Sequence, residues 1–323
     1  MRAMPASTMR LQGAPLLRVP PPRLYVYFDS IVRHGSIRAA AEALRIASSA
    51  LNRRLLDLEQ DVGTILFDRL RSGVRLTPAG VLFAAHVRRT LGDAEQVGDR
   101  MQELRGELCG HAAIGAAESA AVDLLPGALA AYQQEHPGMR FTLSVGMPRE
   151  MLGDLLQDRL DLILTHEAPD VPEAVVLASA PRVFCALVRP GHPLAGLQRV
   201  FLRDCLDYPI VLGDAPTAAR AMVDAALAAA ALRVQPAFVT NMFEVAQHYV
   251  RLTDAVSFQM RPGGLPIAGG GPLANGLMAV PLADPALAQA RLMLAVRRGR
   301  TLPPGAEGLC ARLQASLAGV QEP

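Results

Sequence analysis

The chain has 323 residues, 51% apolar and 19% charged, with a formal net charge of +2. That length suits roughly two domains, and that composition excludes global disorder. All 32 basic residues are Arg and there is no Lys, which excludes a P-loop NTPase, a protein kinase of the usual type and any Lys Schiff-base enzyme.

Charge is unevenly placed. Residues 1–110 carry 16 Arg against 11 acids, a net of +5, and the remainder carries 16 Arg against 19 acids, a net of −3. A basic head on a mildly acidic body suits nucleic-acid binding by the head. The four cysteines, Cys109, Cys185, Cys205 and Cys310, lack Cys-x-x-Cys spacing and follow no secretory signal. They read as reduced thiols of a cytoplasmic protein. The longest uncharged run, Pro262 to Ala283, is broken by Gly and Pro and cannot span a bilayer as a helix.

Residues 1–23 read as a tail ending in Pro20, Pro21 and Pro22. From Leu24 the pattern turns helical: Leu24, Tyr27, Phe28 and Ile31 keep one-face spacing. Gly35 ends that helix and Ser36 can cap a second, with Ile37, Ala40, Ala41 and Leu44 on one face. A third helix, with Ser48 or Ser49 as its cap, carries Leu51, Leu55, Leu58 and Val62 as its apolar stripe and stops at Gly63. Helix, short turn and helix is the helix-turn-helix pattern. The outer face of the third helix offers Ser48, Ser49, Asn52 and Arg53, residue types that match base edges. Arg54 lies at its flank, suited to a phosphate. Two β-prone runs about Ser72-Gly73 then predict a hairpin wing bearing Arg69, Arg71 and Arg75. Thr77-Pro78 starts another helix. Periodicity alone leaves open a plain three-helix bundle with a solvated Arg face.

The ordered run Tyr27-Phe28, His34-Gly35-Ser36-Ile37, Ala40-Ala41, Ala50-Leu51-Asn52-Arg53, Leu58-Glu59, Gly63, Leu66-Phe67-Asp68-Arg69 and Leu76-Thr77-Pro78-Ala79-Gly80 resembles the N-terminal domain of LysR-type transcriptional regulators. The resemblance implies DNA binding by a winged helix-turn-helix over 24–80, with Ser36 among the DNA-contacting residues. It departs from the family at Ala47-Ser48-Ser49, where Ser-Gln-Pro is usual, and at Asn52, where Ser is common.

Thr77 to about residue 106 forms one long pattern with apolar positions from Val81 and Leu82 through Leu91, Val97, Met101 and Leu104. A stripe of that length needs a partner, and the resemblance implies a dimerisation helix. Beyond Gly110, short apolar strand candidates alternate with helical stretches: 112–115, 141–145, 160–164, 183–188, 209–212, 237–240 and 292–297 against 124–134, 151–157, 218–232, 243–252 and 309–317. This predicts a parallel-sheet α/β domain. The resemblance implies two periplasmic-binding-protein-like lobes, 110–182 with 290–323 and 183–289, and a small-molecule effector in the cleft between them. The positions carried over to that cleft are Ser119, Met147, Pro148, Arg149, His166, Thr217 and Asn241. Pro148 and the stretch Leu252 to Val256 depart from the family pattern.

The sequence offers no catalytic constellation: no His-Glu-x-x-His, no Gly-x-Ser-x-Gly, and Gly269-Gly270-Gly271 lacks dinucleotide-loop spacing. The expectation is a regulator rather than an enzyme, with no cofactor and no metal. Its implied partners are double-stranded DNA, an effector, a second copy in a homodimer or homotetramer, and RNA polymerase. It has no membrane partner. The competing classes are a solute-binding protein using the lobes alone, which the complete winged head argues against, and an enzyme with a binding head. Cys185 or Cys205 as a redox sensor competes with its reading as a small buried hydrophobe.

Overall fold

The computed structural model describes residues 22–70, 73–104, 108–166, 168–214, 217–261, 271–273, 275–288 and 290–319. The chain divides into two compact units at Cys109/Gly110.

The first unit holds α1 (Arg23–His34), α2 (Ile37–Ala43), α3 (Ser48–Val62), the hairpin β1 (Phe67–Leu70) and β2 (Gly73–Leu76), and α4 (Pro78–Glu103). Arg23, expected in the tail, is already helical, and Arg71 lies outside the described residues. Gly35 ends α1 at φ +61, a conformation that favours glycine, and its N–H closes on the Ile31 carbonyl. Ser36 takes the N-cap backbone position of α2 without a side-chain cap bond. The α3 cap differs from expectation. Ala47 occupies it, and Ser48 and Ser49 are the first two helical residues, so their hydroxyls are not used as caps. Phe28, Ile31, Ala40, Ala41, Leu51, Leu55, Leu58, Leu66, Phe67, Ala84 and Val87 form the buried core. The Phe28 ring centroid lies 5.0 Å from those of both Phe67 and Phe83. Glu59 ties helix to wing: its Oε1 accepts from Leu66 N (2.7 Å) and Phe67 N (3.1 Å). The wing also docks on the α1–α2 turn, where Val74 N donates to Gly35 O at 2.8 Å. Thr77 caps α4 by accepting from Gly80 N at 3.0 Å.

The second unit runs β3 (Cys109–Ala116), α5 (Glu118–Asp123), α6 (Leu125–Glu135), β4 (Gly138–Val145), α7 (Pro148–Leu156), β5 (Leu162–Thr165), β6 (Ala174–Pro181), β7 (Phe184–Val188), α8 (Leu202–Cys205) and β8 (Ile210–Gly213). It continues through α9 (Ala218–Ala229), β9 (Phe238–Thr240), α10 (Phe243–Leu252), β10 (Val256–Met260), β11 (Gly271–Pro272), β12 (Met278–Pro281), β13 (Arg291–Arg297) and α11 (Pro304–Ala318). One sheet has the order β4-β3-β5-β13-β6 and the other β11-β12-β7-β10-β8-β9. The expected all-parallel arrangement is corrected to mixed sheets. β3 and β5 are parallel, as are β8 with both β9 and β10. β13 runs antiparallel to β5 and β6, and β7 antiparallel to β10 and β12. The chain leaves the first sheet after β6 and re-enters it only at β13, from the opposite direction. The two crossings lie side by side: Arg182 N donates to Ala290 O at 2.8 Å.

The helix expected over 124–134 is α6; the short α5 before it was not in the expected series, and the last helix begins at Pro304 rather than Leu309. β6, β10, β11 and β12 are strands that the expected series did not include. The strands β5, β7 and β10 are buried along their whole length, as befits sheets covered on both faces. The corner below β5 is fixed by charge. Asp161 Oδ2 accepts from Ala113 N (2.7 Å), and its Oδ1 accepts from Arg300 NH2 (2.6 Å). No helix among the described residues is long and apolar enough to cross a membrane.

Candidate functional site

In the first unit, the apolar stripe of α3 turns Leu51, Leu55 and Leu58 inward, and this leaves Ser48, Ser49, Arg53 and Arg54 exposed on the far side. Arg53 makes no ion pair among the described residues, whereas Arg54 stands 4.0 Å from Asp57. Asn52 is half-buried, and Arg69 Nη2, from the wing, donates to its Oδ1 at 2.9 Å. That bond locks wing to helix and leaves the Asn52 amide N–H groups outward as donors. Arg75 sits 3.7 Å from Asp68 on the wing surface. The fold therefore brings Ser48, Ser49, Asn52, Arg53, Arg54, Arg69 and Arg75 onto one unit, as helix face and wing. Ser36 lies half-buried at the start of α2.

In the second unit, a cavity of ≈ 310 Å³ is lined by residues of both sheets and their helix starts. Six of the seven expected cleft residues line it: Ser119, Met147, Pro148, His166, Thr217 and Asn241. Arg149 does not; it is an exposed residue in the first turn of α7 and is corrected to a surface position. Ser119 is a helical residue rather than the N-cap, which is Ala117. Thr217 is the N-cap of α9 and accepts from Arg220 N at 3.2 Å. Several lining residues fall outside the carried-over set, among them Glu150, Arg220, Phe258, Ser257 and Gln259. The last two are polar residues in a buried strand, a pattern that periodicity reads as a break.

Two hydrogen-bond chains end at this cavity, one on the side of the sheet β4-β3-β5-β13-β6 (lobe I) and one on the side of the sheet β11-β12-β7-β10-β8-β9 (lobe II), and each is anchored on a backbone group whose role is fixed. On the lobe I side, His166 Nδ1 lies 2.8 Å from the Arg291 carbonyl oxygen, which only accepts. Nδ1 therefore carries the ring proton and Nε2 is the acceptor. Ser119 Oγ, 2.7 Å from Nε2, donates its proton there. Burial pushes the His166 pKa down to about 4, the bond to the Arg291 carbonyl opposes this, and the Arg182 charge adds to it. The neutral tautomer thus agrees with the geometry. Also on this side, Glu118 Oε1 accepts from Phe243 N at 2.8 Å, bridging from α5 to the start of α10. On the lobe II side, Leu277 N donates to Asn275 Oδ1 (3.2 Å), Asn275 Nδ2 to Gln247 Oε1 (2.7 Å), Gln247 Nε2 to Gln259 Oε1 (3.3 Å) and Gln259 Nε2 to Ser257 Oγ (3.1 Å).

All four cysteines are buried, and none is in a disulfide. Burial pushes the Cys185 and Cys205 thiols up to about 12 and Cys310 to about 11. They stay protonated at neutral pH, which favours packing over redox sensing. Among the described residues no group of His, Cys, Asp or Glu is arranged to hold a metal ion.

The model of the LysR-family bacterial regulatory helix-turn-helix matches residues 22–81, and that of the LysR substrate binding domain matches residues 105–318. An SDS degradation transcriptional activation protein from a Pseudomonas species is 33% identical over 292 residues, covering 88% of this chain and 92% of the relative. The HTH-type transcriptional regulator CysB of Burkholderia cenocepacia is 26% identical over 226 residues, covering 69% of this chain and 72% of the relative. Among solved structures, a full-length OxyR variant from Pseudomonas aeruginosa is similar at a TM-score of 0.70 with 19% identity, covering 93% of this chain and 98% of that one. Full-length CbnR with its target DNA is similar at 0.61 with 20% identity, covering 93% and 99%. These two likenesses speak to the fold. With a family model over most of the chain and a full-length relative at this identity, the chain belongs to the LysR family: it is a transcriptional regulator that joins a DNA-binding helix-turn-helix domain to an effector-binding domain.

Proposed function

We propose that residues 24–80 read DNA through α3, with Ser48, Ser49, Asn52 and Arg53 at base edges. Arg54, Arg69, Arg71, Arg75 and Ser36 serve the flanking backbone or minor groove. The observation that carries this reading is the exposed Arg53, without an ion pair among the described residues, on a helix face that the wing braces through Arg69 and Asn52. Residues 77–106 form the linker and pair with a second copy. Leu82, Val97, Met101 and Leu104 are exposed at 76%, 48%, 42% and 88%, and their spacing puts them on one side of α4. Two heads on a homodimer, or on a homotetramer of dimers, then meet half-sites one helical turn or a multiple apart. Residues 110–323 form the effector domain, with lobe I over 110–182 and 290–323 and lobe II over 183–289. A small molecule in the ≈ 310 Å³ cavity favours one arrangement of the assembly and so alters DNA engagement and contact with RNA polymerase. The protein acts in the cytoplasm, without a cofactor.

The test is fluorescence anisotropy with duplexes tiled across the DNA upstream of its own gene, against a scrambled duplex, over a salt series. Specific binding persists on one tile at salt that releases the scrambled duplex. Equal, salt-sensitive binding to every duplex, or none at low salt, overturns the assignment.

A further inference from the structure

The two hydrogen-bond chains give the cavity a polarity, and with it a chemical class of ligand. This inference rests on the cavity being the effector site.

The lobe I wall is an acceptor wall. Ser119 has spent its only proton on His166 Nε2, and His166 has spent its own on the Arg291 carbonyl, so the pair presents only lone pairs. Beside it lie the carboxylates of Glu118 and Glu150, both lining the cavity. Neither has an ion-pair partner among the described residues. Glu118 has one oxygen on Phe243 N and the other without a donor among the described residues. Burial pushes its carboxyl up from the ordinary value. The Phe243 N–H opposes that, and nearby Glu244 adds to it. A bound cation is the partner this half-buried carboxylate lacks.

The lobe II wall is a donor wall. Leu277 N–H can only donate, so it fixes Asn275 Oδ1 as oxygen and thereby orients every amide after it. The chain ends with Gln259 Nε2 donating to Ser257 Oγ. Ser257 is 2% exposed, lines the cavity, and has accepted a bond while its own proton has no acceptor among the described residues. A buried hydroxyl proton in that position calls for a ligand acceptor. Thr217 and Thr240 repeat the motif: each accepts from a backbone N–H, of Arg220 and of Met242, and its own proton has no acceptor among the described residues. Arg220 lines the same wall, with its Nε on Asp224 and NH1 on Gly213 O. Between the walls the lining is apolar: Met147, Pro148, Val223, Phe243, Phe258 and Met260.

We propose that the cleft takes a small, largely apolar molecule carrying a protonated amine, held at Glu118, Glu150 and Ser119. A hydrogen-bond acceptor such as a carboxylate or carbonyl on the same molecule meets Ser257 and the lobe II hydroxyls. A simple carboxylic acid lacks the group the lobe I wall demands and places a further negative charge near two carboxylates that have no ion-pair partner among the described residues. An apolar α-amino acid has all three parts.

Isothermal titration of the full chain with matched series tests this: L-leucine, 4-methylpentanoate and isopentylamine, then L-phenylalanine, 3-phenylpropionate and 2-phenylethylamine. In at least one series the amino acid binds at least tenfold more tightly than the acid that lacks its amine. Glu118→Gln, which keeps the acceptor for Phe243 N, weakens the amino acid and the amine but not the acid. Ser257→Ala weakens the amino acid and the acid but not the amine. Acids binding as tightly as the amino acids, or no amine-bearing member binding at up to ~10 mM, overturns the proposal. The same samples are scored on the preferred DNA tile. Specific DNA binding with a failed series discards only the ligand class. A responding series without any preferred tile discards the regulatory role of the site.

Discussion

The neutral His166 makes effector-domain stability depend on pH with a defined sign. In the folded protein burial, with the nearby Arg182 charge, lowers its pKa to about 4 against the opposing bond to the Arg291 carbonyl, and Ser119 donates to the unprotonated Nε2. In the unfolded chain the pKa returns to about 6.5. Between these values the unfolded state binds the proton and the folded state does not. The contribution is therefore complete above pH 6.5 and is lost as pH falls towards 4. Integrating that difference from pH 7 to pH 5 gives a loss of about 2 kcal/mol, out of about 3 kcal/mol for the whole span. His166→Gln removes the titration. Urea unfolding of both proteins at pH 7 and pH 5, followed by far-UV circular dichroism, isolates the effect as a difference of differences and cancels the other titrating groups. Wild type should lose about 2 kcal/mol more than the variant over that interval. Parallel losses would refute the buried neutral tautomer and, with it, the acceptor character given to Ser119.

Arg53→Ala should relax sequence preference at one position per half-site at a cost of about 1–3 kcal/mol. Equal weakening on every duplex would reassign Arg53 to phosphate contact. Ser119→Leu fills the cavity and removes the donor to His166, so it should abolish the effector response while DNA affinity in anisotropy stays unchanged. Loss of cooperative unfolding instead would make the hydroxyl structural. Gly80→Ala would drive a methyl group onto the Leu66 carbonyl oxygen where α4 crosses the wing. It should destabilise the head by about 1–3 kcal/mol in thermal unfolding, and an unchanged melting temperature would show that this crossing can relax.

The helical head was legible almost residue by residue, because each element shows one apolar face and an explicit stop: Phe28 and Ile31 before Gly35, Leu51 to Leu58 before Gly63. The α3 cap was not, since two serines adjacent to a helix start look like caps whether or not their backbone is already helical. In the second unit the elements were mostly legible and their directions were not. Val-, Ile- and Leu-rich runs such as β5 and β7 read the same parallel or antiparallel, because burial on both faces removes alternation. β10 does not read as a strand because Ser257 and Gln259 interrupt its apolar run. That interruption is the sequence trace of the polar chain behind the cleft. Most of the cleft set followed from the family pattern. Arg149 failed because a charged residue beside a loop gives no sign of which way it turns.

The position of β13 has a consequence for synthesis. It is the last strand made, yet it sits inside its sheet, between β5 and β6. Until residues 291–297 leave the ribosome, both neighbours present bare strand edges, while the six strands of the other sheet, all drawn from 184–281, are already available to close on themselves. The nascent chain therefore passes through a stage with one finished lobe inserted into an unfinished one, its edges open to mispairing. A frameshift or stop codon just before Arg291 would arrest the protein in that state. A stop beyond Ala318 spares both sheets, which suits fusion of a reporter at the C-terminal end.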